Sequence, residues 1–340
     1  MAMKKAFFCV ALALALVIAA EPHMRAKIAQ QASLLADSLG QREAARTQQP
    51  SFSQQLGGYD RTDMLDVTLY YRFAGTGVLG AQHVQMDIRR EETVAKRIVQ
   101  QLVEGPDASY EKLSGVFPQG TEVISVSANG QTAYVTLSSD FLGRPDGAPA
   151  DWEDLAAWQE EAALRRRLAV QSIVLALTEG AYYQRVQLYV ADTDDDVPQR
   201  IELAWFDTNV DDAALVLAPS PRDEQAMLTP QRAVDMAMRA WQARDWAAMM
   251  PVLHADGAEL PTLSVFESQM NELDITLLEY TASVGTVSFD GQTATVVLDA
   301  QIRSREGGDA QIVRESVPLT RVQDNWAMSM DTLLQLMIRD

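Results

Sequence analysis

The chain has 340 residues, enough for about two domains, and its 47% hydrophobic and 22% charged residues are typical of globular proteins. Its formal net charge of -19 would repel a phosphate backbone, so we expect no nucleic-acid partner. The composition favours a solubilising acidic surface over an acidic docking face.

The N-terminal segment predicts export. Two lysines, Lys4 and Lys5, precede an apolar run over residues 6–20. As a helix this run would span about 22 Å, which is less than the ~30 Å hydrocarbon core of a bilayer. It therefore predicts a signal peptide at residues 1–20, with an uncleaved signal-anchor as the alternative. Cys9 lies inside the run rather than at its end, so lipid attachment there is not expected.

Residues 21–62 are predicted to form a tether with a helical and a flexible part. A weakly amphipathic helix is expected over residues 24–46, and residues 40–62 are rich in Gln, Ser and Gly. Such a tether would hold the folded part away from a membrane or wall. We expect an extracytoplasmic protein, secreted or anchored at the outer face of the cytoplasmic membrane, that contacts the membrane only through its N-terminal segment.

Residues 63–210 read as an α+β domain. Strands are predicted at "MLDVTLYYRF" and "VQMDIRR", and a helix at "ETVAKRIVQQLVEG". Gly105 is expected to cap this helix in a left-handed conformation, and Pro106 prevents its continuation. Pro118 and Gly120 predict a tight turn that begins the next strand.

The second half of this domain is predicted from a hairpin, a helix and two more strands. Asn129-Gly130 between alternating apolar runs predicts a tight β-turn. A long helix is expected from about Asp151, followed by strands at "YQRVQLYVA" and "PQRIELAWF". The order β-β-α-β-β-α-β-β predicts helices on one face of a sheet.

These segments resemble the GerMN domain of sporulation and spore-germination proteins over about residues 63–205. The marks of the resemblance are "LVEGP" and "FPQGTEVISVSANGQTAYVTLSSDF", with Gly105-Pro106 and Pro118-x-Gly120-Thr121 the most characteristic. The resemblance implies an exported, non-catalytic protein of an envelope assembly, with envelope proteins or further copies of itself as partners. The insertion before the long helix departs from the family pattern, so it implies no particular ring geometry.

Residues 211–228 are predicted to be a proline-containing linker, and residues 229–340 a second α+β domain. Thr229 and Pro230 are predicted to begin a helix, and a second helix, broken by proline, follows. Strands then dominate, and Asp290-Gly291 predicts another hairpin turn. This order of helices before a long antiparallel sheet resembles the cone of the nuclear-transport-factor-two/cystatin-like superfold.

The sequence offers few candidates for chemistry. It has no G-x-S-x-G elbow and no phosphate-binding glycine loop, so we predict no catalytic residues, no enzyme activity and no cofactor. No metal site is predicted, because His23, His83 and His254 lack ligand spacing. The acidic residues near 192–196 are predicted to form an exposed turn.

The two hypotheses for function differ in where binding occurs. The first is a non-catalytic envelope scaffold or binding protein, linked to sporulation or germination through the resemblance. The second is a small-molecule binder or minor hydrolase that acts through a pocket of the second domain. The candidate lining residues of that pocket are Trp241, Trp246, Tyr280 and Trp326, although aromatic residues at helical spacing are more often core.

Overall fold

A computed structural model describes residues 64–88, 93–180, 182–194, 196–210, 212, 214–257, 259–273, 275–303 and 310–337. The predicted signal segment, Cys9, His23 and the tether lie outside the described residues. The described part belongs to one compact unit, Asp60–Asp340. None of the helices within these ranges is both long and apolar enough to cross a membrane.

The described residues begin with a three-stranded sheet. Its strands are β1 (Met64–Phe73), β2 (Leu79–Asp87) and the short β3 (Leu113–Ser114), in the order β2-β1-β3. The strand β2 begins earlier than its predicted segment, because the pairing with β1 extends to Leu79. The outer side of β2 is therefore an edge of this sheet.

The first helix of the described residues, α1 (Val94–Glu104), follows its predicted apolar pattern. The Thr93 side chain accepts a hydrogen bond from the Lys96 N–H and so caps the N-terminus. The buried side of α1 includes Ile98 and Leu102, and the helix packs on β1 and on the strand β4 (Val123–Asn129).

A second sheet contains β4 and four further strands, which are β5 (Thr132–Ser138), β6 (Arg185–Ala191), β7 (Gln199–Arg200) and β8 (Ser220–Pro221). The strand order is β4-β5-β6-β7, and the short strand β8 pairs with β6. The strands β5 and β6 are parallel, and the crossover between them contains the helix α2 (Ala156–Thr178). The buried half of α2 packs against β1 and β6.

The structure corrects two predictions in this region. Asn129 pairs with Thr132, so the β4–β5 loop is Gly130 and Gln131, one residue later than the predicted Asn-Gly turn. Gly130, with φ of 59°, supplies the positive φ, and Asn129 does not. The predicted strand "PQRIELAWF" is reduced to β7 and a 3-10 turn, Leu203–Trp205, because only two of its residues pair with β6.

The predicted linker, residues 211–228, contacts the first domain. Its strand β8 pairs with Arg185 and Val186 of β6. The guanidinium of Arg222 donates to the carbonyl of Leu175 and to the carboxylate of Glu179. The segment therefore lies on the first domain.

The second domain begins with helices, as the sequence predicts, and its sheet is antiparallel except for one parallel pair of strands. Its helices are α3 (Pro230–Ala243), α4 (Trp246–Met249), α5 (Leu263–Leu273) and α6 (Met330–Met337). Its strands are β9 (Leu253–His254), β10 (Thr276–Ala282), β11 (Thr286–Val287), β12 (Thr293–Arg303), β13 (Gln311–Val322) and β14 (Asn325–Ser329). The sheet order is β10-β12-β13-β14-β9, in which β14 and β9 form the parallel pair, and α3 packs against β10, β12 and β14.

The predicted fold class, α+β with a helix-then-sheet second domain, is confirmed. Thr229 caps α3 through a hydrogen bond from the Arg232 N–H, and Pro230 is the first helical residue. The sequence analysis did not predict α5 or α6. The buried residues of α5 are only Phe266 and Met270, a weak apolar pattern for a helix of this length.

Candidate functional site: a groove beside an open strand edge

A groove of about 960 Å³ lies in the first domain, between the outer part of β2, the C-terminal half of α1 and the start of β4. The stretch from Leu102 to Val123, which holds both glycine-proline signals of the sequence, contributes much of its wall. The residues that line the groove include Val84, Gln85, Met86, Asp87, Arg97, Val103, Glu104, Gly105, Asp107 and Glu122.

The outer edge of β2 is partly occupied by the second domain. The side-chain amide of Asn325 accepts a hydrogen bond from the Ala81 N–H at 2.8 Å and donates to the Ala81 carbonyl at 3.0 Å. The amide thus makes the pair of bonds that a residue of a neighbouring strand would make. Next along the edge, the His83 N–H donates to the carboxylate of Asp324 at 2.9 Å.

The close approach of Asn325 requires a glycine at position 80. A Cβ on Gly80 would lie 2.5 Å from the Asn325 Oδ1 atom and 2.7 Å from a methyl carbon of Leu113. Both distances are shorter than real Cβ contacts, so a side chain here would displace the Asn325 amide from the edge.

Beyond His83 the edge of β2 is open to the groove. Backbone groups alternate in direction along a strand, so the N–H and C=O of Gln85 point the same way as those of Ala81. None of the described residues hydrogen-bonds these two groups of Gln85. An exposed strand edge with unpaired groups is a template for a further strand.

The rim of the groove is acidic among the described residues. Asp87, Glu104, Asp107 and Glu122 are all exposed, and the one described cation on the rim, Arg97, pairs with Glu104 at 3.0 Å. Hydrogen bonds that Ser109 donates lower the pKa of the Asp107 carboxyl below its ordinary value of 3.8, so this group is charged at neutral pH. The rim therefore favours positively charged ligands.

The two glycine-proline signals shape this groove. Gly105 ends α1 with φ of 99° and ψ of 176°, which is outside the predicted left-handed helical cap but still a conformation that favours glycine. Gly120 has φ of 90°, and the Thr121 N–H and hydroxyl both donate to the carbonyl of Pro118. This turn leads the chain directly into the groove wall at Glu122.

The four aromatic candidates of the second domain are in packed positions. The Trp241 indole N–H donates to the Ile275 carbonyl. The Trp246 indole N–H donates to the Asn271 side chain, and the Trp246 ring packs nearly perpendicular to that of Phe266. Trp241, Trp246 and Trp326 are at most 5% exposed. The Tyr280 hydroxyl donates to the Asp235 carboxylate at 2.5 Å.

The small cavity beside Trp326 has a volume of about 10 Å³, and residues of the first domain, among them Phe73 and Tyr110, form part of its wall. A space of this size is far below the 300 Å³ or more that a ligand pocket needs. The four aromatic side chains therefore act as core and hydrogen-bonding groups in this structure.

The remaining candidates have local partners. His83 and Thr68 share a hydrogen bond, and His254 lies 3.4 Å from Asp256. In the acidic turn, Asp192, Asp194 and Asp196 are exposed, and Asp196 accepts hydrogen bonds from Thr193; Asp195 lies outside the described residues.

The comparisons with known proteins identify the first domain. A family model described as "Germane: Sporulation and spore germination" matches residues 68–196, within the predicted limits. Residues 68–196 form a GerMN domain. A search of curated proteins found no match to this chain.

Solved GerMN structures are among the structural matches of this chain. The tandem GerMN domains of the sporulation protein GerM from Bacillus subtilis match at 15% identity and a TM-score of 0.33, covering 73% of this chain and 64% of that one. The first GerMN domain of the same protein matches at 20% identity and a TM-score of 0.27, covering 38% of this chain and 84% of that one.

Sequence reasoning located the backbone turns of the GerMN domain but not the groove that they border. The acidic residues of the rim come from β2, the end of α1, the loop after α1 and the turn before β4, so no local pattern joins all four. Asn325 also gave no signal, because a single amide in a hairpin is common and its partner, Ala81, is distant in sequence.

Proposed function

We propose that this protein is an exported, non-catalytic scaffold of the cell envelope whose GerMN domain acts in sporulation or germination by binding another protein. The observation that carries the proposal is the match of residues 68–196 to a family described by sporulation and spore germination. The lysine pair and apolar run at the N-terminus support export.

The electrostatics and packing of the described residues agree with a binding role. The groove of the GerMN domain offers an open strand edge and exposed charges, which are features of recognition by a protein. The net charge of -19 disfavours nucleic acid as the partner. We do not propose small-molecule binding by the second domain, because its aromatic candidates are packed.

A pair of reporter fusions tests export. The full chain would carry at its C-terminus either an enzyme that is active only after export or one that is active only in the cytoplasm. We expect activity from the first fusion and none from the second. A matched control in which Lys4, Lys5 and residues 6–20 are deleted should reverse the two signals. Activity of the cytoplasmic reporter in the intact chain would contradict the proposal.

A further inference from the structure

The outer edge of β2 is a strand-binding template, and the linker and the second domain occupy only one end of it. At this end Leu79 forms a parallel bridge with Met227, and its carbonyl accepts the N–H of Leu228 at 2.8 Å. The Asn325 amide then pairs with Ala81 as a strand residue would. The same edge therefore already binds two partners through its backbone, and it continues, unoccupied by described residues, through Gln85.

The groove beside the open part of this edge has room for the side chains of an added strand. Val84 and Met86 occupy alternate positions of β2 and line the groove with Val103 of α1. Alternate side chains of an added strand would point toward α1 and meet these apolar groups, and the others would point to solvent. A volume of about 960 Å³ accommodates several such side chains.

The charge of the rim selects among extended peptides. Arg97 is engaged with Glu104, which leaves the exposed carboxylates of Asp87, Asp107 and Glu122 as the free charges among the described residues of the rim. An acidic strand would be repelled here, and lysine or arginine side chains would be attracted.

We propose that the GerMN groove binds a basic, extended segment of a partner protein, which adds as a strand to the edge of β2 beyond His83. Backbone hydrogen bonds to Gln85 give the affinity, alternate apolar side chains enter the groove, and basic side chains meet the acidic rim. This inference rests on the proposed function in one respect: it assumes that the groove faces a protein partner.

The binding is tested with the full chain and defined peptides. The probe is a fluorescent peptide of about eight alternating lysine and valine residues, enough for one strand, and anisotropy measures its affinity. We expect it to bind, and an alternating glutamate–valine peptide to bind at least about tenfold more weakly because of the rim. The same basic peptide, N-methylated on the edge that pairs with β2, should also lose about tenfold or more in affinity.

Two substitutions at the same position separate strand addition from charge attraction. The Gln85 N–H points away from β1, so Gln85→Pro leaves the β1–β2 pairing intact and removes only an outward donor. We expect Gln85→Pro to weaken binding of the basic peptide by about tenfold. The control Gln85→Ala keeps the N–H and should change the affinity by less than about twofold.

Charge-reversal variants of the rim and a control variant test how much the rim carboxylates contribute to peptide binding. The double variant Asp87→Lys, Glu122→Lys should bind the basic peptide about tenfold more weakly than the unmodified protein at low salt. Added salt should reduce this difference in affinity. Glu272→Lys, which changes an exposed carboxylate on α5 of the second domain, should have no effect on binding.

Several results would overturn the inference. These are no binding of the basic peptide, equal binding of the N-methylated peptide, or unchanged binding by a folded Gln85→Pro variant. An oligomer of the full chain that Gln85→Pro dissociates would place a second copy on the edge and also contradict it. If Gln85→Pro does not fold, the N-methylated peptide still decides, because it leaves the protein unchanged. The reporter fusions are independent of these peptides, so failure of the export proposal remains distinguishable.

Discussion

A comparison of Gly105 with Gly115 can measure how much a positive φ at residue 105 costs in stability when glycine is replaced. A Cβ built on either glycine meets no atom within 4 Å, so neither position is restricted by space. They differ in backbone conformation, because Gly105 has φ of 99° and Gly115 is not among the glycines with positive φ. The difference between them therefore isolates the conformational penalty at the end of α1.

We expect Gly105→Ala to lower the free energy of unfolding by about 1 kcal/mol or more, because an L-residue is strained at this φ. Gly115→Ala should be neutral or slightly stabilising, since alanine reduces the entropy of the unfolded chain. Chemical denaturation of the two variants measures the difference. Equal stabilities would show that the end of α1 adjusts its backbone without cost.

The same position also tests whether Gly105 has a role beyond the backbone. Its polar neighbours, Glu104 and Asp107, are exposed, so Glu104→Ala and Asp107→Ala should change the unfolding free energy much less than Gly105→Ala does. If the groove binds basic strands, Asp107→Ala should instead affect binding. Gly105 thus positions the wall of the groove, and Asp107 supplies part of the negative charge of its rim.

At the scale of elements, an ion pair joins β1 to α2. The guanidinium of Arg72, on β1, makes two hydrogen bonds to the carboxylate of Glu161 on α2, and Arg165 adds a third at 2.7 Å. The Arg72 side chain is 10% exposed and that of Glu161 is 25% exposed. Burial raises the pKa of Glu161, but the two arginines lower it more, so that it lies below its ordinary value of 4.5.

This lowered pKa makes the pair a source of acid sensitivity. A carboxyl whose pKa is lower in the folded state stabilises the protein above its unfolded pKa, and this contribution is lost as the pH falls through the folded value. We expect Glu161→Gln to lower the unfolding free energy at pH 7 by about 2 kcal/mol, because Arg72 stays buried without its partner.

Measurements of stability over a range of pH, with a control variant, decide whether this ion pair causes the acid sensitivity. The stability difference between the unmodified protein and Glu161→Gln should begin to shrink below about pH 4.5, where Glu161 becomes protonated in the unfolded chain. It should be lost once the pH falls through the lower pKa of Glu161 in the folded protein. Glu160→Gln, at the exposed neighbouring position, should change the stability little at any pH. A difference between Glu161→Gln and the unmodified protein that stays constant down to pH 2 would exclude titration of this pair.

At the scale of the whole molecule, hydrogen bonds join the two domains. Besides Asn325 and Ala81, the Tyr110 hydroxyl donates to Asp324 at 2.6 Å, and the Lys112 ammonium donates to the Pro251 carbonyl at 2.7 Å. Burial, followed by the hydrogen bond to Asp324 and the charge of that group, raises the pKa of Tyr110 to about 12. These contacts predict that the two domains unfold together in the full chain.

We expect the full chain to unfold in one transition by calorimetry and Asn325→Asp to give two. The substitution has the same shape but replaces the donating amide group with a carboxylate oxygen, which would repel the carbonyls of Ala81 and Gln323. Asn129→Asp, in the exposed β4–β5 hairpin, is the control and should leave a single transition. Two transitions in the unmodified protein would show that the contacts between the domains are too weak to couple them.

The sequence alone predicted those features of the fold that depend on residues close together in the chain. The apolar spacing of α1 and the Thr229-Pro230 start of α3 arise within a few residues, so their patterns predicted them. The Thr93 cap of α1 was not predicted. The order of elements and the glycine-proline turns likewise identified the GerMN domain. The strand expected over residues 198–206 was wrong, because its apolar residues alternate but only two residues find a partner on β6.

The groove was decided only by the tertiary structure. Its wall joins β2, α1 and β4. Its open edge begins where Asn325, which is 244 residues from Ala81, and the adjacent Asp324 stop covering β2. Which backbone groups of a strand remain unpaired depends on every other element that packs beside it. Local patterns record the preferences of neighbouring residues, whereas a strand edge is free or covered according to contacts between distant ones.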